Sequence, residues 1–220
     1  MAAFLVADSE SQRAAPPIAL ALAASTILTR LRLETRGEHD AVERVLDLMG
    51  PALTREIYCQ RLVQFYGFYG PLEAALHAQC AALHLQTLAP RLNKTTLLRQ
   101  DLHYLGVSTD ALVLCRDLPS TENQARLLGC LYVMEGATLG GRMIAQHIQA
   151  TFNITPTTGG SFFDGYGDGT GKMWQAMRQL LLSCATDTET EDAIVASAIA
   201  TFARLRGWCA RASADANNDT

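Results

Sequence analysis

The sequence predicts an all-α protein, and two observations support this class. Apolar residues recur at helical spacing through most of the chain, as in the stretch from Ile57 to Leu83, and no stretch shows the sustained alternation of a half-buried strand. Thr, Asn, Gly and Pro residues that start or end helices divide the chain into segments of helical length. We therefore expect one compact array of about seven or eight helices.

Composition limits the classes of function. The 220 residues suit a single domain with a sizeable core, and 49% hydrophobic with 18% charged residues is typical of a soluble globule. A net charge of −4 without a basic run argues against general nucleic-acid binding. Six scattered cysteines with no CxxC pair indicate reduced, mostly buried thiols. The apolar run from Ile18 to Leu28 is too short to span a membrane and lacks the basic start of a signal peptide, so we expect a cytoplasmic protein with no membrane partner.

The domain is predicted over 19–209. Residues 1–18 are polar or small and end beside two prolines, which predicts a disordered N-terminal extension. Residues 210–220 are predicted to form a disordered tail. Within the domain, a first helix is expected over about 19–33.

Three helices are predicted in the first half of the domain after that one. The capping-box pattern Thr35–x2–Glu38 begins the next helix, which Gly50–Pro51 ends. Thr54 begins a long helix to about residue 84, interrupted and bent by Gly67, Gly70 and Pro71. After a break at Pro90, Asn93 caps a helix that ends at Gly106.

The second half of the domain follows the same pattern. Thr121–x2–Gln124 predicts the start of a long helix that continues to about Phe152. Residues 153–171 form a glycine-rich loop without the pattern of a phosphate loop, and helix resumes over 173–183. Thr188–x2–Glu191 predicts the start of the last helix, which is expected to end near Trp208.

Three glycines interrupt the middle of the helix predicted up to Phe152. Gly136, Gly140 and Gly141 stand among good helix formers, and each interior glycine costs a helix roughly 1 kcal/mol relative to alanine. Gly136 and Gly140 share one face, and adjacent small residues favour a kink. From this stretch alone, a close helix crossing and a ligand-facing surface are equally consistent with the pattern.

His39 and Glu43 are spaced to share a helical face. A carboxylate there can accept the imidazole Nδ1–H and leave Nε2 for a metal. One histidine without further ligands suits a haem iron better than zinc, which needs three or four protein ligands. Taken by itself, a His–x3–Glu pair is more often an ordinary surface pair.

Together these stretches resemble the haem oxygenase family. The family's proximal pattern, basic–x2–Thr–x3–His–x3–Glu, is matched by Arg32, Thr35, His39 and Glu43. The distal-helix glycines of the family are matched by Gly136–x3–Gly140–Gly141. Further family segments are similar to FYGFYGPLE (65–73), LLRQDL (97–102) and KMWQAMR (172–178). The ordered set covers about 30–208 and is closest to the bacterial branch, whose product often feeds phytochrome photoreceptors.

The resemblance implies a fold and a reaction. Haem is expected between the proximal helix and a kinked distal helix. Haem b would be both substrate and cofactor, opened by O2 and electrons from an external donor, such as a ferredoxin or reductase, to biliverdin, CO and Fe²⁺. A bacteriophytochrome is implied as one recipient of the biliverdin.

The resemblance also implies roles for single residues. His39 would ligate the iron and Glu43 would orient it, while Gly136, Gly140 and Gly141 would let the distal backbone approach the haem. The remaining family-matched positions are Arg32 and Arg178 at the haem propionates, Tyr69 in the distal pocket, and Phe202 near the haem. Met134 flanks the glycines and is a further candidate haem contact, although the spacing gives no reason to prefer it as an axial ligand. Core packing is an equal alternative for Tyr69 and the more frequent role for an aromatic such as Phe202.

The chain departs from the animal enzymes at two positions. Ala137 stands where they have an aspartate that holds the distal water network, so the residues that deliver protons must differ. Trp174 stands at a neighbouring lysine position of the propionate clamp.

Other functions are weighed against this one. A di-iron carboxylate bundle needs Glu–x2–His pairs, which are absent from the sequence, and no cysteine has the setting of a thiamin-degrading nucleophile. The main alternative is a non-catalytic haem carrier or sensor, which would keep His39 but would not need a bare distal face.

Overall fold

The computed structural model describes the backbone of residues 26–218 and the side chains of residues 26–211. All regular structure in this part of the chain is helical, which confirms the predicted class. The α-helices are α1 (Ile27–Glu34), α2 (Arg36–Leu46), α3 (Arg55–Ala82), α4 (Lys94–Tyr104), α5 (Gln124–Phe152), α6 (Ser161–Asp164), α7 (Thr170–Cys184) and α8 (Thr188–Asn218). Two 3₁₀ helices are Gln86–Arg91 and Gly167–Gly169. Among these helices, none is both long and apolar enough to cross a membrane.

The N-terminal predictions can be followed only in part. The predicted extension over 1–18 and the predicted helix start at residue 19 lie outside the described residues. From Ile27 onward that helix is present, and it ends at Glu34, close to its predicted end.

Helix α8 is the scaffold against which the other long helices pack. It lies against α5 along much of its length and also contacts α1, α2 and α3. Arg30 of α1 reaches Glu191 and Asp192 at the start of α8, at 3.2 and 2.7 Å. The proximal helix α2 and the distal helix α5 therefore share one support.

Helix α3 continues through Pro71 without the predicted interruption. Proline has no N–H to donate to the carbonyl four residues earlier, which is that of Gly67. The backbone N–H of Cys115 donates to this oxygen instead, at 2.8 Å. A Cβ at Gly67 would lie 2.8 Å from the Val113 carbonyl oxygen and 2.6 Å from the Trp208 ring, so glycine is what allows the loop and α8 to approach.

Of the two helix starts predicted at threonines in the first half of the domain, one is observed and one is not. Thr54 caps α3 as predicted, accepting from the Ile57 N–H at 3.2 Å. Thr35 does not form a capping box, because it already has helical backbone angles and its hydroxyl donates back to the Leu31 carbonyl at 2.7 Å. As a result, α1 and α2 are separated by Thr35 alone.

The caps of the two longest later helices are Asn123 and Asp187 rather than the predicted threonines. Asn123 accepts from the Arg126 N–H at 2.9 Å, and Asp187 accepts from the Thr190 N–H at 2.8 Å. Asn and Asp are at least as favourable as Thr at the N-cap position. Asn123 lies close to Thr121, and Asp187 lies directly before Thr188, so two candidate N-caps compete at each helix start.

Some predicted helix ends are also wrong. Helix α2 ends at Leu46, before Gly50–Pro51, because Asp47 adopts a left-handed conformation with φ of 44°. Helix α8 continues through residues 210–218 to Asn218, beyond the predicted end near Trp208. This segment is rich in alanine and contains no Gly or Pro to stop a helix.

The glycine-rich segment contains short helices that were predicted only as loop. Asp101 of α4 accepts from the backbone N–H groups of Ser161 and Phe162, both at 2.8 Å, which starts α6. Helix α7 begins at Thr170, a few residues before its predicted start.

Candidate active site

The proximal half of the site is His39, in the first turn of α2. Its imidazole keeps 23% of its side-chain surface exposed. Phe202 of α8 packs edge-on against the ring, with 5.6 Å between centroids. The neighbouring Glu38 accepts from Nε and Nη2 of Arg206 on α8, at 2.9 and 3.3 Å. Helix α8 therefore fixes both the ring and the helix that carries it.

Two carboxylates lie on the Nδ1 side of His39. Nδ1 is 3.6 Å from an Asp40 oxygen and 3.9 Å from a Glu43 oxygen. At these distances, longer than a hydrogen bond, the negative charges still favour the tautomer with the proton on Nδ1 and the lone pair on Nε2. The sequence predicted only Glu43 here; Asp40 was missed because adjacent helical residues do not share a face. The same three side chains are also close enough together to hold a cation.

The structure separates the three distal glycines by their surroundings, although all three lie within one continuous helix α5. A Cβ at Gly136 would have no atom outside its own helix within 4 Å among the described residues. A Cβ at Gly141 would lie 2.7 Å from the carbonyl oxygen of Phe163 on α6. Gly140 is buried. Gly136 therefore leaves space beside the helix, whereas Gly141 allows the backbone of α6 to pack against it.

Glu135, directly before Gly136, is the centre of a buried charge cluster that the sequence analysis missed. Its carboxylate accepts from Arg91 Nη1 at 2.7 Å and from the Tyr166 hydroxyl at 2.7 Å. Lys94 Nζ lies 3.9 Å from the same carboxylate and 4.1 Å above the centre of the Tyr166 ring. Burial lowers the pKa of Lys94, partly offset by the nearby carboxylates, and burial raises the pKa of Tyr166. The available signal was a carboxylate within a largely apolar helix, since such residues are rarely buried unless paired.

Tyr69 is buried in α3, beside this cluster. Its ring packs among Phe65, Phe68 and Phe162, and its hydroxyl has no hydrogen-bond partner among the described residues. Burial is the main cause that raises the pKa of Tyr69, with smaller contributions from Glu73 and other groups. The phenol therefore stays protonated at neutral pH and can donate a hydrogen bond. The Tyr69 ring is therefore part of the core, while its hydroxyl is available to donate a hydrogen bond.

Arg32 and Arg178, the two predicted propionate ligands, are both exposed. Neither is paired with a carboxylate among the described residues. Burial raises the pKa of Tyr132 of α5, and Thr35, between α1 and α2, and Arg32 of α1 lower that pKa by smaller amounts. The Tyr132 ring also lies 5.8 Å from that of Trp174. Tyr132 therefore links α5 to the junction of α1 and α2, and the sequence analysis did not single it out.

Met134 directly precedes Glu135 in α5 and is buried, with 1% of its surface exposed. Its backbone carbonyl accepts from the Thr138 hydroxyl at 3.2 Å. The burial and the hydrogen bond of Met134 are both typical of a core residue. Contact between Met134 and haem stays a prediction.

Comparison with known proteins supports the fold and the family. The chain is similar to the NO- and CO-bound heme oxygenase from Neisseria meningitidis, with 24% identity, a TM-score of 0.70, and coverage of 86% of this chain and 92% of that one. Heme oxygenase from Leptospira interrogans is 22% identical, with a TM-score of 0.70 and coverage of 85% and 100%. Heme oxygenase 2 from Chlamydomonas reinhardtii, solved without heme, is 18% identical, with a TM-score of 0.65 and coverage of 84% and 96%. No curated protein matches the sequence.

The sequence itself also matches a family model. The heme oxygenase model aligns with residues 25–211, a range that includes His39, the glycines of α5 and the whole of the packed core. The chain belongs to the heme oxygenase family.

Proposed function

We propose that the chain is a haem oxygenase that binds haem between α2 and α5 and opens it to biliverdin, CO and Fe²⁺. The observation that carries the proposal is the family match over 25–211, which spans both halves of the candidate site in one alignment. The open space beside Gly136 supports it, because a helix crossing would have filled that space. The bound haem supplies the oxygen chemistry, and O2 and electrons come from outside the chain.

On the proximal side, His39 would bind the iron through Nε2. The carboxylates of Asp40 and Glu43, at 3.6 and 3.9 Å from Nδ1, favour the neutral tautomer that can do so. Phe202 limits rotation of the imidazole by its edge-on contact. A haem iron needs no second protein ligand, so one histidine fits the group.

On the distal side, the chain would supply bare backbone rather than side chains. Gly136 and Ala137 together present no side chain larger than a methyl group at this point of α5. Haem and a small diatomic molecule can therefore approach the helix closely. Gly140, one turn further on, extends the same face in this proposal, whereas Gly141 supports the face by packing on α6.

The propionates would be held by Arg32 and Arg178. Both guanidinium groups are exposed and unpaired with carboxylates among the described residues, so no existing ion pair must be broken. An arginine can bind a propionate through two parallel hydrogen bonds, which fixes the rotation of the haem in its plane.

Proton supply would involve Tyr69 and water rather than the aspartate replaced by Ala137. The Tyr69 hydroxyl is fully buried, protonated at neutral pH and without a partner among the described residues. Buried polar groups of this kind are normally satisfied by ordered water.

We also propose a ferredoxin-type electron donor, a cytoplasmic location and transfer of biliverdin to a bacteriophytochrome.

The test is to add haem to the purified full-length chain and then supply ascorbate or a ferredoxin with its reductase. We expect binding of about one haem per chain, loss of its Soret band, a green bilin and release of CO. Haem that stays bound with no bilin and no CO would refute the enzymatic function and favour the carrier or sensor.

A further inference from the structure

Glu135 is an unusual residue for the middle of a buried helix. Its side chain is 1% exposed, and it stands on the turn of α5 that also carries Gly136. An ionised carboxylate removed from water is costly unless charges and hydrogen bonds replace the lost hydration. An apolar residue of similar size would often be no less stable at such a site. Stability alone therefore gives a poor account of a carboxylate at this position.

The partners of Glu135 come from three segments outside α5. Arg91 lies at the end of the 3₁₀ helix Gln86–Arg91 and also donates to the Met173 carbonyl of α7 at 3.2 Å. Lys94 is the first residue of α4, and its ion pair with Glu135 is joined by its position over the Tyr166 ring. Tyr166 lies in the glycine-rich segment before α7. Glu135 thus ties one turn of α5 to three elements that approach from different directions.

The second buried carboxylate of this region holds one of those elements in place. Glu73 of α3 accepts from the backbone N–H groups of Lys94 and Thr95 at 2.5 and 2.9 Å, and so caps α4 in place of the Asn93 side chain. Lys94 therefore cannot shift without disturbing the α3–α4 contact. The anchor of Glu135 is rigid on this side.

A shift of the Glu135 backbone would also move the Gly136 backbone. The two residues are joined by one peptide unit within a hydrogen-bonded helix, in which the rise is about 1.5 Å per residue. A Cβ at Gly136 would meet no atom outside its own helix within 4 Å among the described residues, so direct contacts of that glycine with other elements do not set its distance from a ligand. The Glu135 carboxylate, one residue away, is a point at which the helix is bonded to other elements.

We propose that Glu135 is a positioning residue for ring opening: its bonds to Arg91, Lys94 and Tyr166 fix how closely the Gly136 backbone approaches the haem, and thereby the meso carbon that is attacked. This inference rests on the proposed function. It assigns to Glu135 no contact with haem and no proton transfer.

The experiment compares two Tyr→Phe variants that each remove one hydrogen-bonded hydroxyl from the same part of the fold. Tyr166→Phe removes the hydrogen bond to Glu135, whereas Tyr58→Phe removes a 2.8 Å bond to the Gly159 carbonyl in the glycine-rich segment. Glu135→Gln is the stronger third variant, because it keeps the shape but removes the charge between Arg91 and Lys94. All three are loaded with haem and compared at equal amounts of folded, haem-bound protein.

Three measurements are made on each variant: azide affinity of the ferric haem-bound protein, rate of bilin formation per bound haem, and ratio of biliverdin isomers. In Tyr166→Phe and Glu135→Gln we expect changed azide affinity, mixed isomers and a rate lowered about tenfold to a hundredfold, since misplacement by about 1 Å can cost about a hundredfold. Tyr58→Phe should lower thermal stability while keeping the wild-type isomer ratio and azide affinity.

Two outcomes would overturn the inference. One is a wild-type isomer ratio and azide affinity in both Tyr166→Phe and Glu135→Gln; if Glu135→Gln does not fold, Tyr166→Phe decides alone. The other is an equal change in Tyr58→Phe, which would show that any loosening of the glycine-rich segment has the same effect. If the wild-type chain binds haem but forms no bilin, the proposed function fails, and azide affinity still decides whether Glu135 sets the distal distance.

Discussion

Replacing Gly136 and Gly141 separately by alanine tests the division of the distal glycines into an open face and a packed face. At Gly136 the new methyl group meets no atom outside its own helix within 4 Å among the described residues. At Gly141 it would lie 2.7 Å from the Phe163 carbonyl oxygen and 3.3 Å from the Phe163 Cα. Both neighbours are backbone atoms, so α6 would have to move to relieve the contact.

The two substitutions should change the free energy of unfolding in opposite directions. Alanine at Gly136 gains roughly 0.5–1 kcal/mol of helix propensity with no steric cost. Alanine at Gly141 gains the same propensity but incurs an overpacking cost of typically about 1–3 kcal/mol, which leaves it less stable than wild type. In a chain of this length, 1 kcal/mol corresponds to roughly 2–4 °C in the midpoint of thermal unfolding.

The assay is thermal unfolding of the haem-free proteins, followed by bilin formation after haem loading. Gly136→Ala should unfold at a higher temperature than wild type yet turn over more slowly, because its methyl group would enter the space proposed for haem and oxygen. Gly141→Ala should unfold at a lower temperature. A destabilised Gly136→Ala, or a Gly141→Ala as stable as wild type, would refute the assignment of the two faces.

Three further predictions concern other parts of the site and the fold. His39→Ala should retain much of its haem affinity but shift the Soret band and lose most turnover, with recovery on adding imidazole; a wild-type spectrum and wild-type bilin formation would contradict the iron ligand, and Glu43→Gln should be milder. Arg178→Ala should weaken haem binding and broaden the isomer distribution, measured by titration and product analysis, whereas unchanged values would make it a surface charge. Hydrogen bonds from the backbone and side chain of Thr190 lower the pKa of Asp187 below its ordinary value of 3.8, so folded Asp187 binds fewer protons than unfolded Asp187 in acid. Its stabilising effect should be complete above pH 3.8 and lost as pH falls through the lower folded pKa, and Asp187→Asn, compared by unfolding midpoints from pH 2 to 5, should lose that part of the acid dependence.

The helical class and the extent of most long helices could be predicted from local sequence patterns. The Thr54 cap and apolar spacing predicted α3, and α5 ends at Phe152 as expected, because such limits depend on local backbone preferences. The sequence also pointed to His39 and to the glycines of α5, since a costly residue in a regular helix is visible without any partner. Local rules failed where two candidate caps compete within a few residues, as at Asn123 and Asp187.

The surroundings of the unusual residues could not be predicted, because they depend on contacts between distant segments of the chain. Pro71 remains inside a helix because Cys115, far along the chain, donates to the carbonyl that proline leaves unpaired. Gly136 and Gly141 look alike in the sequence, but α6 packs against Gly141 alone. Glu135 is held by Arg91, Lys94 and Tyr166, which reach it from segments that no helical periodicity relates to one another. Contacts between distant segments depend on how whole helices pack, and residue spacing within one helix carries no record of them.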